Sequence, residues 1–205
     1  MLPATVKNES HFRNAQLSNL LSFSGTANYE LVWQKIYGEL YRYQPEALTQ
    51  IGDSLKNIMV AQSLNKLDYA RLIVTLVQQM PYWYVVSEAS CNHDPYYDFP
   101  CISQIPFGLL TPQETAALAR GDCDSKALLL YNLFRYLGFK PLIMVSKQYA
   151  HAMLAIDVPA TGEFVYYNGN KFYFWEVTAE GWDAGMLPPN VSNINYWQIA
   201  LSYEY

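Results

Sequence analysis

The hydrophobic pattern of this chain changes its period at Gly138. Before that point apolar residues recur near the helical spacing; after it they fall into short runs and alternations separated by turn residues. Leu31, Ile36, Leu40 and Tyr43 predict a helix over 29–43, closed by Pro45. Leu48, Ile51, Leu55, Ile58 and Met59 predict a second over 47–64. Leu72, Ile73, Leu76 and Val77 predict a third over 69–80, with Asp68 as its cap and Pro81 as its stop. Thr111, Pro112 and Glu114 announce a short helix to about residue 120, a cap followed by proline in the first turn. A longer one opens at Gly121-Asp122-Cys123, places Ala127, Leu130, Leu133, Phe134 and Leu137 on one side, and ends at Gly138. Beyond it, strands are expected over 141–146, 150–158, 163–167, 171–178 and 196–203, with Asn168-Gly169 as a hairpin turn. Helices first and an antiparallel sheet afterwards is the α+β pattern.

Hydrophobic residues make up 51% of the 205, enough for a sizeable core and against disorder. The formal charge is −5 and no Lys/Arg run stands out, which argues against a surface that tracks nucleic-acid phosphates. No apolar stretch reaches the roughly 18 residues needed to span a bilayer. Residues 1–80 are expected to form a helical extension, and 81–205 the unit that carries the chemistry. The first residues lack the basic and apolar blocks of a signal peptide, so the chain is either cytoplasmic or has already lost its signal. Cys91 and Cys101 bracket a Pro/Tyr/Asp-rich loop, as a small disulfide or as two thiols. The disulfide would suit an oxidising compartment, and an extracytoplasmic location is favoured on that ground. Cys91, His93, Asp94 and Cys101 match no strong zinc spacing, so no metal and no cofactor is expected. The stretch 82–112 is long for a compact domain and could cover a cleft as a lid.

Cys123 carries the chemistry. At a helix start the unsatisfied N–H groups and the macrodipole favour a thiolate, and the same groups can donate to a developing oxyanion. Asp122 and Asp124 oppose the thiolate, and Asp122 suits the cap. Of His11, His93 and His151, the last opens the apolar run His151-Ala152-Met153-Leu154-Ala155-Ile156 and can take the thiol proton and return it to a leaving amine. Glu176, a lone carboxylate in an aromatic run, is the choice for orienting the imidazole, with Asp157 and Asp183 as alternatives. Lys126 reads as a solvated charge near the same helix face.

Gly121-Asp122-Cys123-Asp124-Ser125-Lys126-Ala127, the helix ending Leu137-Gly138-Phe139, then His151-Ala152-Met153 and an aromatic strand with an acid and Thr178, together resemble the transglutaminase-like superfamily. The likeness is to its bacterial cysteine-protease branch and covers roughly residues 111–185. It implies a papain/transglutaminase-like core, with the nucleophile at a helix amino terminus packed on an antiparallel sheet and the Cys-His-acid triad on Cys123, His151 and Glu176. The family's acid is usually aspartate in an Asp-Pro-Thr-like run, and here Glu176-Val177-Thr178 stands in that place. Gln113, Asp122 and Trp175 are the candidates for oxyanion or substrate binding, and Trp182 is a further aromatic for the cleft. The implied activity is hydrolysis of an amide or isopeptide bond in a protein or peptide through a thioester. An amine acceptor would turn the same intermediate to crosslinking, and a misaligned triad would leave a peptide- or glycan-binding module.

Overall fold

The computed structural model describes Ser10, Asn14 and residues 29–42, 46–91 and 100–205. From residue 29 onward the described chain forms the helices α1 (Tyr29–Tyr41), α2 (Glu46–Ala61) and α3 (Lys66–Gln78). Two short strands, β1 (Tyr84–Val85) and β2 (Cys101–Ile102), precede α4 (Pro112–Leu118) and α5 (Cys123–Tyr136). Then come β3 (Pro141–Ser146), β4 (His151–Ile156), β5 (Phe164–Tyr167), β6 (Asn170–Trp175) and β7 (Gln198–Leu201), joined antiparallel in the order β5-β6-β4-β3-β7. The architecture is α+β, as the change of period predicted. No described helix is long and apolar enough to cross a membrane.

The chain's local signals account for most element ends. Thr111 closes a capping box with Glu114, with Pro112 in the first turn. Asn168 and Gly169, at φ 47° and 76°, make the β5–β6 turn in the left-handed conformation that a two-residue hairpin of this kind needs. Two of the ends that differ from expectation have a cause visible in the hydrogen bonds. Asp68 does not cap α3; the cap is Asn65, whose side chain accepts from the Asp68 backbone N–H at 3.0 Å, so the helix starts earlier. The strand expected over 171–178 stops at Trp175, because the backbone N–H groups of Val177 and Thr178 turn to the Glu176 carboxylate instead of a ladder.

A one-sided stripe was expected on α5, yet it is buried all round from Ser125 to Phe134. The sheet covers one side through Ile143, Val145, Ala152, Leu154 and Ile156, and the leading helices cover the other through Ile36, Leu40, Leu48, Leu55, Ile73 and Val77, all in one apolar cluster. The opposite sheet face packs Leu142, Met144, Met153, Ala155, Phe172 and Phe174 against Val191 and Trp197, the alternation that a two-residue period imposes. The expected stripes of the leading helices hold at Ile36, Leu40, Leu48, Leu55, Ile73 and Val77 and fail at four other positions. Leu31, Ile51, Ile58 and Leu76 are exposed, whereas Tyr37, Tyr69 and Val74 are buried. Gly52 lets α2 approach closely, since a Cβ there would meet the Tyr136 ring at 2.3 Å.

The 82–112 stretch is partly ordered by parallel pairing of β1 with β2, and Cys91 and Cys101 form a disulfide, which removes both thiols as metal ligands. His93 and Asp94, the tip of the expected lid, His11 and Tyr43 lie outside the described residues.

Burial of α5 on every side has a measurable consequence. Leu130→Ala is expected to lower unfolding stability by about 2–5 kcal/mol. Ile58→Ala, on an exposed face, should stay well below that (about 0.5 kcal/mol). Urea denaturation of the two variants checks the contrast.

Candidate active site

Cys123 is the first residue of α5, and the chain enters it through a rigid corner. Gly121 bridges to Tyr82, and its carbonyl accepts from the Trp83 N–H at 3.2 Å. Asp122 caps the helix, its Oδ1 accepting from the Ser125 N–H at 3.0 Å, and the Ser125 Oγ accepts from the Leu110 N–H at 3.2 Å. The thiol is 4% exposed. Its Sγ donates to Asp124 Oδ2 at 3.4 Å, and Asp124 Oδ1 in turn accepts from the Tyr37 hydroxyl of α1.

Burial pushes the Cys123 thiol well above its ordinary value, and the carboxylates of Asp124 and Asp122 push the same way. The Ala152 backbone, hydrogen-bonded to the sulfur, opposes them. These surroundings favour the neutral thiol, although a helix start on its own would favour the anion. Asp122 is itself pushed up to about 7, by burial first and by Asp124 second.

His151 opens β4, where the β4–β6 ladder has already ended at Leu154 and Trp175. Its Nε2 lies 2.8 Å from Glu176 Oε2, and the ring meets Trp197 edge-on at 5.9 Å. Glu176 Oε1 accepts from the Val177 N–H at 2.9 Å, the Thr178 N–H at 2.7 Å and the Thr178 hydroxyl at 2.5 Å. Burial alone would raise the Glu176 pKa, but the His151 partner and the Thr178 donors outweigh it and hold it below the usual carboxylate value. An ionised carboxylate only accepts, so Nε2 carries the proton and Nδ1 is the nitrogen able to take another. Cys123 and His151 make no direct hydrogen bond among the described residues. They meet through Ala152, which follows His151 and contacts the sulfur, and through Asp124, which feels the charge of the imidazole.

A cleft of about 340 Å³ opens beside the imidazole, lined by Tyr149, His151, Glu176, Thr178, Trp182 and Asn190 among others. Trp182 stands where the sequence suggested. Trp175 does not line the cleft; it is 1% exposed, in the core, with its indole N–H on the Trp182 carbonyl at 3.0 Å. Gln113 is buried on α4, away from the cleft lining, and its Oε1 has no hydrogen-bond partner among the described residues. Asp157 and Asp183 are held by Lys66 and Arg71, so neither alternative acid is bonded to the imidazole.

Lys126 is the clearest departure from expectation. It is fully buried, with Nζ donating to the Met80 carbonyl at 2.6 Å and the Thr178 carbonyl at 3.4 Å. Tyr37 escaped sequence reasoning as a site residue, because it sits among Ile36 and Leu40 and reads as core. Asp124 opposes the thiolate as expected, and the structure adds its hydrogen bonds to Sγ and to the Tyr37 hydroxyl. Comparison with known protein families, curated proteins and solved structures finds no match to this chain.

Two outcomes follow from these electrostatics. Asp124→Asn removes a carboxylate that raises the thiol pKa, so the pH curve of iodoacetamide alkylation at Cys123 should move to lower pH. An unmoved curve would mean that this carboxylate does not govern the thiol. Glu176, with its folded pKa depressed, contributes stability that is full above the unfolded value of about 4.3 and is lost as pH falls through the folded value. The urea stability gap between wild type and Glu176→Gln should therefore be widest near neutrality and narrow in acid.

Proposed function

We propose that the chain is a cysteine-dependent acyl-transfer enzyme, a protease or amidase on a papain/transglutaminase-like core. The observation that carries the reading is the Glu176–His151 pair at the open end of β4, next to a cysteine at the first residue of α5. The resemblance over residues 111–185 supports it independently.

In this reading the thiol leaves Asp124 and turns to the imidazole, and His151 Nδ1 takes its proton. Sγ attacks the carbonyl carbon of the scissile amide, and the N–H groups at the start of α5 face the developing oxyanion. The carbon–nitrogen bond breaks, and the imidazolium gives its proton to the leaving amine. A water molecule, deprotonated by the same imidazole, opens the thioester and restores the thiol. Glu176 holds the ring in one orientation and stabilises it while charged, as the acid of a triad does. The Trp182 and Tyr149 rings suit a peptide chain in the cleft. The disulfide supports an oxidising compartment.

One observation favours a different reading. A buried, carboxylate-bonded thiol is what a peptide- or glycan-binding module with an idle cysteine would carry. A single experiment separates the two. The protein is incubated with p-nitrophenyl acetate, acid-quenched and weighed by mass spectrometry, in wild type, His151→Ala and Cys123→Ala. Enzyme chemistry requires one acetyl group on Cys123 in the wild type, strongly reduced without His151 and absent without the cysteine. Cys123 unmodified in the wild type, with peptide binding to the cleft intact, would leave the binding module. Ammonia release from a glutamine peptide without amine incorporation would exclude crosslinking.

A further inference from the structure

Lys126 lies three residues along α5 from Cys123 and is 0% exposed, in a site that already contains three carboxyl groups. An ammonium is costly to bury unless it is bonded and compensated. Here both conditions are met by the site. The Thr178 carbonyl accepts from Nζ, the Thr178 N–H and hydroxyl hold Glu176 Oε1, and Glu176 Oε2 holds His151 Nε2. A continuous hydrogen-bonded chain thus runs from the nucleophile's own helix to the imidazole. The Met80 carbonyl, just beyond α3, anchors the same ammonium at 2.6 Å from the other side.

We propose that Lys126 is a positioning residue, which locks the Glu176–Thr178 segment to α5 and so sets the His151 imidazole at a fixed place relative to Cys123. The role rests on the acyl-transfer reading given above. Lys126 acts through Thr178 and Glu176 and touches no reacting atom. The titratable groups that face it are Glu176, just beyond β6, Cys123, from its own helix, and Asp122, the cap of that helix. Burial lowers the ammonium to about 8, and those three groups pull it partly back. The lock is consequently pH-dependent. Loss of the proton above that value leaves a neutral amine among the acids and weakens the hold on Thr178.

The test compares wild type, Lys126→Met and Lys126→Gln with two readouts. The first is the rate of acetylation of Cys123 by p-nitrophenyl acetate across pH. The second is the downfield proton resonance of the His151 imidazole N–H bonded to Glu176. Lys126→Met is expected to shift or lose that resonance and to slow acetylation by about 100-fold, the penalty for a displacement of roughly 1 Å at a reacting centre. The wild-type fall in acetylation per thiolate near pH 8 should vanish with the lysine. Lys126→Gln keeps a donor for the carbonyls without the charge, so it decides the matter if the methionine variant does not fold; partial retention of the resonance and loss of the pH 8 limb are expected. A folded variant with the wild-type resonance and pH profile overturns the proposal. Because the resonance reports geometry without turnover, a wild type that never acetylates defeats the acyl-transfer reading while the resonance still decides the role of Lys126.

Discussion

An α-helix begins with backbone N–H groups that have no partner within it, and in α5 that end is buried next to α1 and β4. The requirement that buried polar groups be satisfied then shapes everything around it. Asp122 and Ser125 each accept a backbone N–H, Asp124 is held between Tyr37 and the thiol, and the Ala152 backbone reaches the sulfur. In water these residues would need no such partners. Placing α5 between helices and sheet holds the thiol among polar side chains that are themselves hydrogen-bonded, Asp122, Asp124 and Ser125.

The same burial divides the site into two electrostatic halves. Around Cys123, desolvation and two carboxylates favour the neutral thiol. Around Glu176, three donors and an imidazole favour the charged carboxylate despite similar burial. The two halves thus favour opposite charge states, the neutral thiol and the ionised carboxylate. Lys126 lies between them and is bonded to the segment that carries the acid. The resting arrangement thus pairs His151 with Glu176 and the Cys123 thiol with Asp124.

Local signals were legible where the physics is local. The capping box at Thr111, the left-handed pair Asn168-Gly169 and the opening of α5 at Asp122-Cys123 are each settled within four residues of chain. Glu176 was found because a lone carboxylate in an aromatic run has to be bonded to something, and the structure puts it on His151. Trp175 misled for the complementary reason. Its neighbour faces the site, and in an extended chain adjacent side chains point to opposite sides, so Trp175 faces the core. Ile51, Ile58 and Leu76 are exposed because periodicity marks an apolar stripe without saying how much of it a neighbouring element covers.

By itself, the sequence determined the α+β order of elements, the helix that starts at Cys123, and the residue types able to act as nucleophile, base and orienting acid. These depend on spacing and on short-range hydrogen bonding. Only the tertiary structure decided that Lys126 is buried, that Tyr37 reaches Asp124, that Cys91 joins Cys101, and that the thiol rests on a carboxylate. Each of those depends on which surface of one element meets which surface of another. A side chain's exposure, and with it the cost of its charge, is set by that meeting and not by its neighbours in the chain.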